Sequence, residues 1–191
     1  MPNPNKVEFG ISNLHVWEYN EASDGTVTFG TPYHQKGAIG FSPEQDDNSN
    51  TRYADNIAYW SNMSNGPFEG DLEVVLFDDD FKERFLGYVR LTSGGLSQVK
   101  NPAKKKVCIA FDIGGDVQTR RAVFYNCSLG AIGRGYATLE EEVETATETL
   151  PINCIGDNES GATMEVLKPG DTGYDDLYTS PMVPELTDTS E

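Results

Sequence analysis

The strongest constraint on this chain is a pair of alternating runs near its middle. Val107, Ile109, Phe111 and Ile113 recur at every second position, Gly114-Gly115 follows, and Val123, Tyr125, Cys127 and Leu129 recur likewise on the return. Residues two apart share one face of a strand, and paired glycines allow a tight reversal. The stretch is therefore expected to be a β-hairpin, returning from Val117 to Leu129 with those four residues inward. The same period marks Leu14 to Tyr19, with Leu14 and Val16 on one side and His15, Trp17 and Tyr19 on the other. After the turn at Asp24-Gly25, Val27 and Phe29 continue it. Further strands are expected at Ala38 to Ser42, at Tyr88 to Leu91 and at Met164 to Leu167. Another is expected where Leu72, Val74 and Leu76 alternate against Asp71, Glu73 and Val75. A chain so patterned is expected to be built mainly from β-strands, some of them joined as hairpins.

One helix interrupts the strands. Asp78-Asp79-Asp80 offers capping carboxylates, Phe81, Phe85 and Leu86 share a helical face, and Gly87 supplies the stop. Capping accounts for the triple aspartate without a metal, because no calcium-loop spacing follows. Residues 1–13 read as an extended arm, 14–168 as a single domain, and 169–191 as an acidic, proline-containing tail with little to bury. Within the domain, 43–67 reads as a long loop or flap. It opens on the polar run PEQDDNSNT and carries Tyr53, Tyr59 and Trp60, which either contact other proteins or cover the core. From Thr138 to Thr149 the pattern fits a helix or a strand; from Leu150 to Cys154 it is extended, with Pro151 suited to an edge position.

The chemistry-bearing residues are sparse. His15 and His34 stand outside any metal-binding pattern, there is no nucleophile elbow or phosphate-loop lysine, and GAIGRG from Gly130 to Gly135 lacks dinucleotide spacing. The expectation is a non-enzyme with no metal or cofactor. Cys108, Cys127 and Cys154 are too widely spaced for a zinc framework and read as free buried thiols. With no signal-peptide pattern at the start and no apolar run of membrane-spanning length, the chain is expected to fold in a reducing cytosol, where the sequons at Asn62, Asn126 and Asn158 carry no weight. There are 31 acidic and 14 basic residues, a net charge of -17, which argues against generic binding to nucleic-acid phosphates. Lys104-Lys105-Lys106 reads as a solvated loop or a contact with an acidic neighbour.

Several blocks, in order, resemble one family. NKVEFGISNLHV, DGTVTFGTP, YADNIAYW, GPFEGDLEVVLFDDDFKERFLG, FDIGGDVQTRRAVFYNCSLG and TETLPI are similar to the major tail tube protein of long-tailed, non-contractile bacteriophages, across roughly Asn5 to Ile155. The resemblance implies an antiparallel β-sandwich with one flanking α-helix, a long interaction loop and extended terminal arms. It implies that copies close into hexameric rings, that the rings stack into the tail tube of a virion, and that the inner strands of all subunits join into one barrel. The implied partners are the chain itself, a tape-measure protein in the lumen, a tail terminator and a distal tail protein at the ends, and double-stranded DNA in transit. Synthesis would take place in the host cytoplasm, without membrane insertion.

Within that picture Tyr53, Asp55, Asn56, Tyr59 and Trp60 are the candidates for contacts between stacked rings. Glu140, Glu142, Glu144 and Glu148 are the candidates for an acidic lumen, or else a solvated outer face. Two other classes fit parts of the sequence: an acidic DNA mimic that blocks a DNA-binding enzyme, and a related ring-forming component such as a terminator or baseplate hub subunit.

Overall fold

The computed structural model describes residues 10–54, 57–135, 146–158 and 160–185, with backbone alone at 46–54 and 57–64. In chain order the elements are β1 (Ile11–Glu21), β2 (Val27–Phe29), β3 (Tyr33–His34), β4 (Ala38–Ala54), β5 (Ile57–Val74), α1 (Asp79–Leu86), β6 (Val89–Arg90), β7 (Leu96–Ser97), β8 (Val107–Ile113), β9 (Arg121–Leu129), β10 (Gly133–Arg134), β11 (Glu148–Cys154) and β12 (Met164–Leu167). All pairings are antiparallel. The main sheet runs β2-β1-β8-β9-β11-β5-β4, with β3 on β1, β12 on β9 and β10 on β11, while β6 and β7 form a sheet of their own.

The main sheet folds over on itself. Phe41 on β4 meets Phe111 on β8 and Phe124 on β9 edge-on, with ring centroids 6.1 and 5.2 Å apart, although these strands are not neighbours in the sheet. Between the two halves lies the main core, which includes Leu14, Val16, Leu72, Val74, Ile109, Leu150 and Ile152. The helix closes its open side with Phe81, Phe85 and Leu86. Asp78 is the N-cap, its carboxylate accepting the Phe81 N–H at 2.8 Å, and Gly87 ends the helix in the left-handed region at φ 67°. Both capping roles read from the sequence stand.

A second core lies on the far side of β1, β8 and β9, built from Trp17, Cys108, Ala110, Val123, Tyr125 and Leu167. Tyr174 and Leu177 complete it, so the tail expected to bury little is a strap across this face. Arg121 holds the strap in place. Its guanidinium lies 4.0 Å from the Tyr174 ring centroid and 4.7 Å from that of Tyr178, while its Nε donates to Asp112.

Asn126 explains why the odd-numbered residues of β9 are divided between the two cores. It takes φ 50° inside the strand, and the register against β8 slips there, pairing Val107 with Cys127 but Ile109 with Phe124. Such a bulge inverts the alternation that follows it. Val123 and Tyr125 therefore face the second core and Cys127 and Leu129 the first, where simple alternation placed all four together. The bulge also changes partners: β9 pairs with β12 from Arg121 to Phe124 and with β11 from Cys127 to Leu129.

The return strand begins at Arg121; Val117 is exposed in the turn, whose Asp116 accepts backbone N–H groups of Gln118 and Arg120. Leu76 is exposed because β5 ends at Val74, and Phe77 takes the buried place. Pro151 lies inside the sheet and not at an edge. It stands opposite the gap after β9 pairing ends at Leu129 and before β10 begins at Gly133, so no ladder bond is lost to its missing N–H. Cys127 and Cys154 are cross-strand partners joined as a disulfide, which corrects the free-thiol reading for those two; Cys108 is free and buried. The stretch 43–67 is paired strand for most of its length, within the hairpin of β4 and β5. Backbone ladder bonds between β4 and β5 hold it as strand.

Candidate functional site: an acidic sheet face beside an open strand edge

The register of β4, β5 and β11 sorts their residues onto two faces. Phe41, Leu72 and Leu150 stand side by side and point into the core. The intervening rows are Gly40-Glu73-Thr149, Ser42-Asp71-Pro151 and Glu44-Glu69-Asn153. Ser42, Glu44, Glu69 and Asp71 are exposed and Glu73 is half-buried. These rows form one wall with four carboxylates and no lysine or arginine.

The strands are held close beneath this wall. A Cβ on Gly70 would stand 2.3 Å from Ser42 O and 2.8 Å from Pro43 Cα, so only glycine fits the approach of β4 to β5. Asn153 Nδ2 donates to Glu69 at 2.6 Å and Thr147 Oγ1 donates to Glu73 at 2.7 Å, fixing both carboxylates without neutralising them. Glu44 lies directly opposite Glu69. Like charges in that relation repel, so the arrangement opposes the subunit's own stability and concentrates negative potential over the wall.

Beside the wall, β4 ends the sheet. Its outer edge, in a strand of 17 residues, pairs with nothing among the described residues. An edge of this length is a template for another strand, which a monomer would ordinarily blunt.

The residues singled out from the sequence fall elsewhere. Glu148 is not on the wall. Its side chain is 3% exposed and turned under the helix, where it accepts the Phe77 N–H at 2.7 Å and pairs with Lys82 at 3.2 Å and Arg134 at 3.3 Å. A carboxylate so enclosed cannot line a channel; it ties α1, the end of β5 and β10 together. Glu140, Glu142 and Glu144, like Asp55 and Asn56, lie outside the described residues. Tyr53, Tyr59 and Trp60 occupy the far end of the β4–β5 hairpin, with Tyr53 opposite Ala58 and Arg52 opposite Trp60, and their side chains lie outside the description. Asp71 and Glu73 were visible as the polar partners in the alternation with Leu72 and Val74. Glu69 continues the same parity, just after the turn residues Asn65-Gly66-Pro67. Lys104 is spent within the subunit, donating to Leu129 O at 3.0 Å and to Gly130 O.

Among known proteins, the family model described as "Phage tail tube protein" matches residues 3–138. No curated protein sequence matches the chain. Several solved structures are similar at low identity, among them these three. The sheath-tube complex of an extracellular contractile injection system in its extended state gives a TM-score of 0.44 at 6% identity, covering 81% of this chain and 88% of that one. The tube-terminating cap of the anti-feeding prophage gives 0.47 at 8% identity, covering 87% and 96%. The baseplate of the same prophage gives 0.41 at 10% identity, covering 90% and 100%.

Proposed function

The chain belongs to the phage tail tube protein family, and on that footing we propose that it stacks as hexameric rings into the tube of a long, non-contractile tail, with the acidic wall of β4, β5 and β11 facing the channel. The observation that carries this reading is the division of one sheet into an apolar face against the core and outward rows that hold Glu44, Glu69, Asp71 and Glu73 and, among the described side chains, no lysine or arginine. The open edge of β4 supports it, because strands of neighbouring subunits joining there would continue the sheet around the channel and remove that exposed edge.

Conduction then follows from electrostatics. DNA phosphates bind where lysine and arginine neutralise them, and this wall offers only like charge. Repulsion acts within a Debye length of about 8 Å at physiological salt, so it keeps the duplex from adhering while leaving an open channel unobstructed. The energetic cost of lining up carboxylates is carried by the core packing and the strand ladders behind them. Before ejection a tape-measure protein fills the lumen, and a terminator and a distal tail protein close the two ends. The subunit is made in the host cytoplasm and functions in the virion tail as a scaffold, without catalysis.

The test is a quadruple variant, Glu44→Gln, Glu69→Gln, Asp71→Asn and Glu73→Gln, built into tails. Tubes of normal length with slowed genome delivery are expected. Delivery at the wild-type rate through variant tubes would remove these residues from the channel lining.

A further inference from the structure

Between the helix and β8 the chain makes an excursion that the main sheet does not use. Its neck is closed twice: a Cβ on Gly87 would lie 2.8 Å from Ala103 N, and the Lys105 N–H donates to Phe85 O at 3.0 Å. Between these points β6 pairs, among the described residues, with β7 alone. Arg90 leans the small hairpin against the helix by donating to Glu83 at 2.9 Å. A two-stranded hairpin of this size is marginally stable by itself. It nevertheless holds Val89, Leu91 and Val99 at 48%, 51% and 36% exposure.

Lysines follow directly. Of the chain's 14 basic residues, four fall at positions 100, 104, 105 and 106. Lys104 is committed to carbonyl oxygens and Lys105 lies 3.9 Å from Glu18. Lys100 and Lys106 are exposed, with no side-chain hydrogen bond or ion pair among the described residues. Lys36 and Lys168 are exposed in the same way but stand apart in the chain, whereas Lys82, Arg84, Arg90, Arg120, Arg121 and Arg134 each pair with a carboxylate of their own subunit.

Exposed apolar side chains followed closely in the chain by exposed lysines have the composition of a protein interface. The partner's charge is set by the chain itself. Each copy carries a net charge of -17, so copies repel unless a contact places cations of one against carboxylates of another. In a head-to-tail ring or stack the two contacting surfaces differ, which lets a basic patch meet an acidic one in every pair. We propose that residues 88–106 are a docking element for a second copy of this chain. Val89, Leu91 and Val99 supply its buried centre, and Lys100 and Lys106 engage the neighbour's carboxylates. The proposal rests on the tail-tube reading and adds the surface through which like-charged subunits adhere.

The test compares the wild-type chain, the double variant Lys100→Glu/Lys106→Glu, and a control with the same change in charge, Lys36→Glu/Lys168→Glu. Assembly is followed by sedimentation and electron microscopy, and folding by thermal melting. All three should melt alike, whereas the Lys100/Lys106 variant should need about tenfold more protein to assemble, the loss of favourable charge contacts at an interface rim. Leu91→Ser should weaken assembly in the same direction. Assembly of both variants at wild-type concentrations would overturn the docking assignment and leave the tube reading standing. A wild-type chain that never forms rings or tubes would overturn both.

Discussion

Asn126 decides which way half of β9 faces. Its positive φ of 50° is one that asparagine tolerates and a β-branched residue does not, and its Nδ2 donates to Gly156 O at 2.8 Å in a fully buried site. Asn126→Val should therefore cost about 2–4 kcal/mol, from backbone strain together with an unpaired buried carbonyl. Urea unfolding measures this directly; a loss below half a kcal/mol would show that the bulge does not depend on the residue. Nothing in the alternation of Val123, Tyr125, Cys127 and Leu129 announces the inversion, since a bulge adds a residue without changing composition. The disulfide of Cys127 with Cys154 was hidden for the same reason: it depends on β9 meeting β11 after the bulge, which spacing along the chain cannot show. At Asp116 the Arg120 guanidinium and two backbone N–H groups hold the carboxyl at about 2. Because this folded value lies below the ordinary one, the contribution is full above about pH 4 and is lost as pH falls toward 2. Asp116→Asn should flatten the acid limb of a stability-versus-pH curve in that window, and an unchanged limb would show that the turn does not depend on the charge.

Elements were legible wherever period and chemistry agreed. The helix was readable from Asp78 to Gly87 because cap, apolar face and stop each name a position, and β12 from Met164 to Leu167 coincides with the run read from the sequence. The long hairpin was not readable as strand. Proline, aspartate and asparagine in PEQDDNSNT are poor strand formers, and what holds β4 in place is its ladder with β5, a long-range pairing that local pattern does not contain. Its far end, with Tyr53, Tyr59 and Trp60, is the stretch we assign to contacts between stacked rings. Deleting Asp46 to Ser64 leaves the paired base of the hairpin from Ala38 to Gln45, where Phe41 packs into the core. The shortened subunit should remain folded and soluble but fail to form long tubes. Tubes of wild-type length from that deletion, seen by electron microscopy, would refute the assignment.

For the whole molecule, charge and burial divide the faces. The acidic wall of β4, β5 and β11 lies on one side of the folded sheet, and the strap of Tyr174, Leu177 and Tyr178 covers the other. In a tube whose channel is the acidic wall, the strap faces outward and each subunit seals its own outer surface. The overall acidity was plain in the sequence; its distribution was not, because Glu44 and Glu69 become neighbours only through the register of two strands. A density map of assembled tubes, at a resolution that traces strands, decides which surface lines the channel. Glu44, Glu69, Asp71 and Glu73 of every subunit should line it, with β4 edges paired across subunits. A map that places this face on the outer wall, or an assembled protein without a central channel, would contradict that assignment.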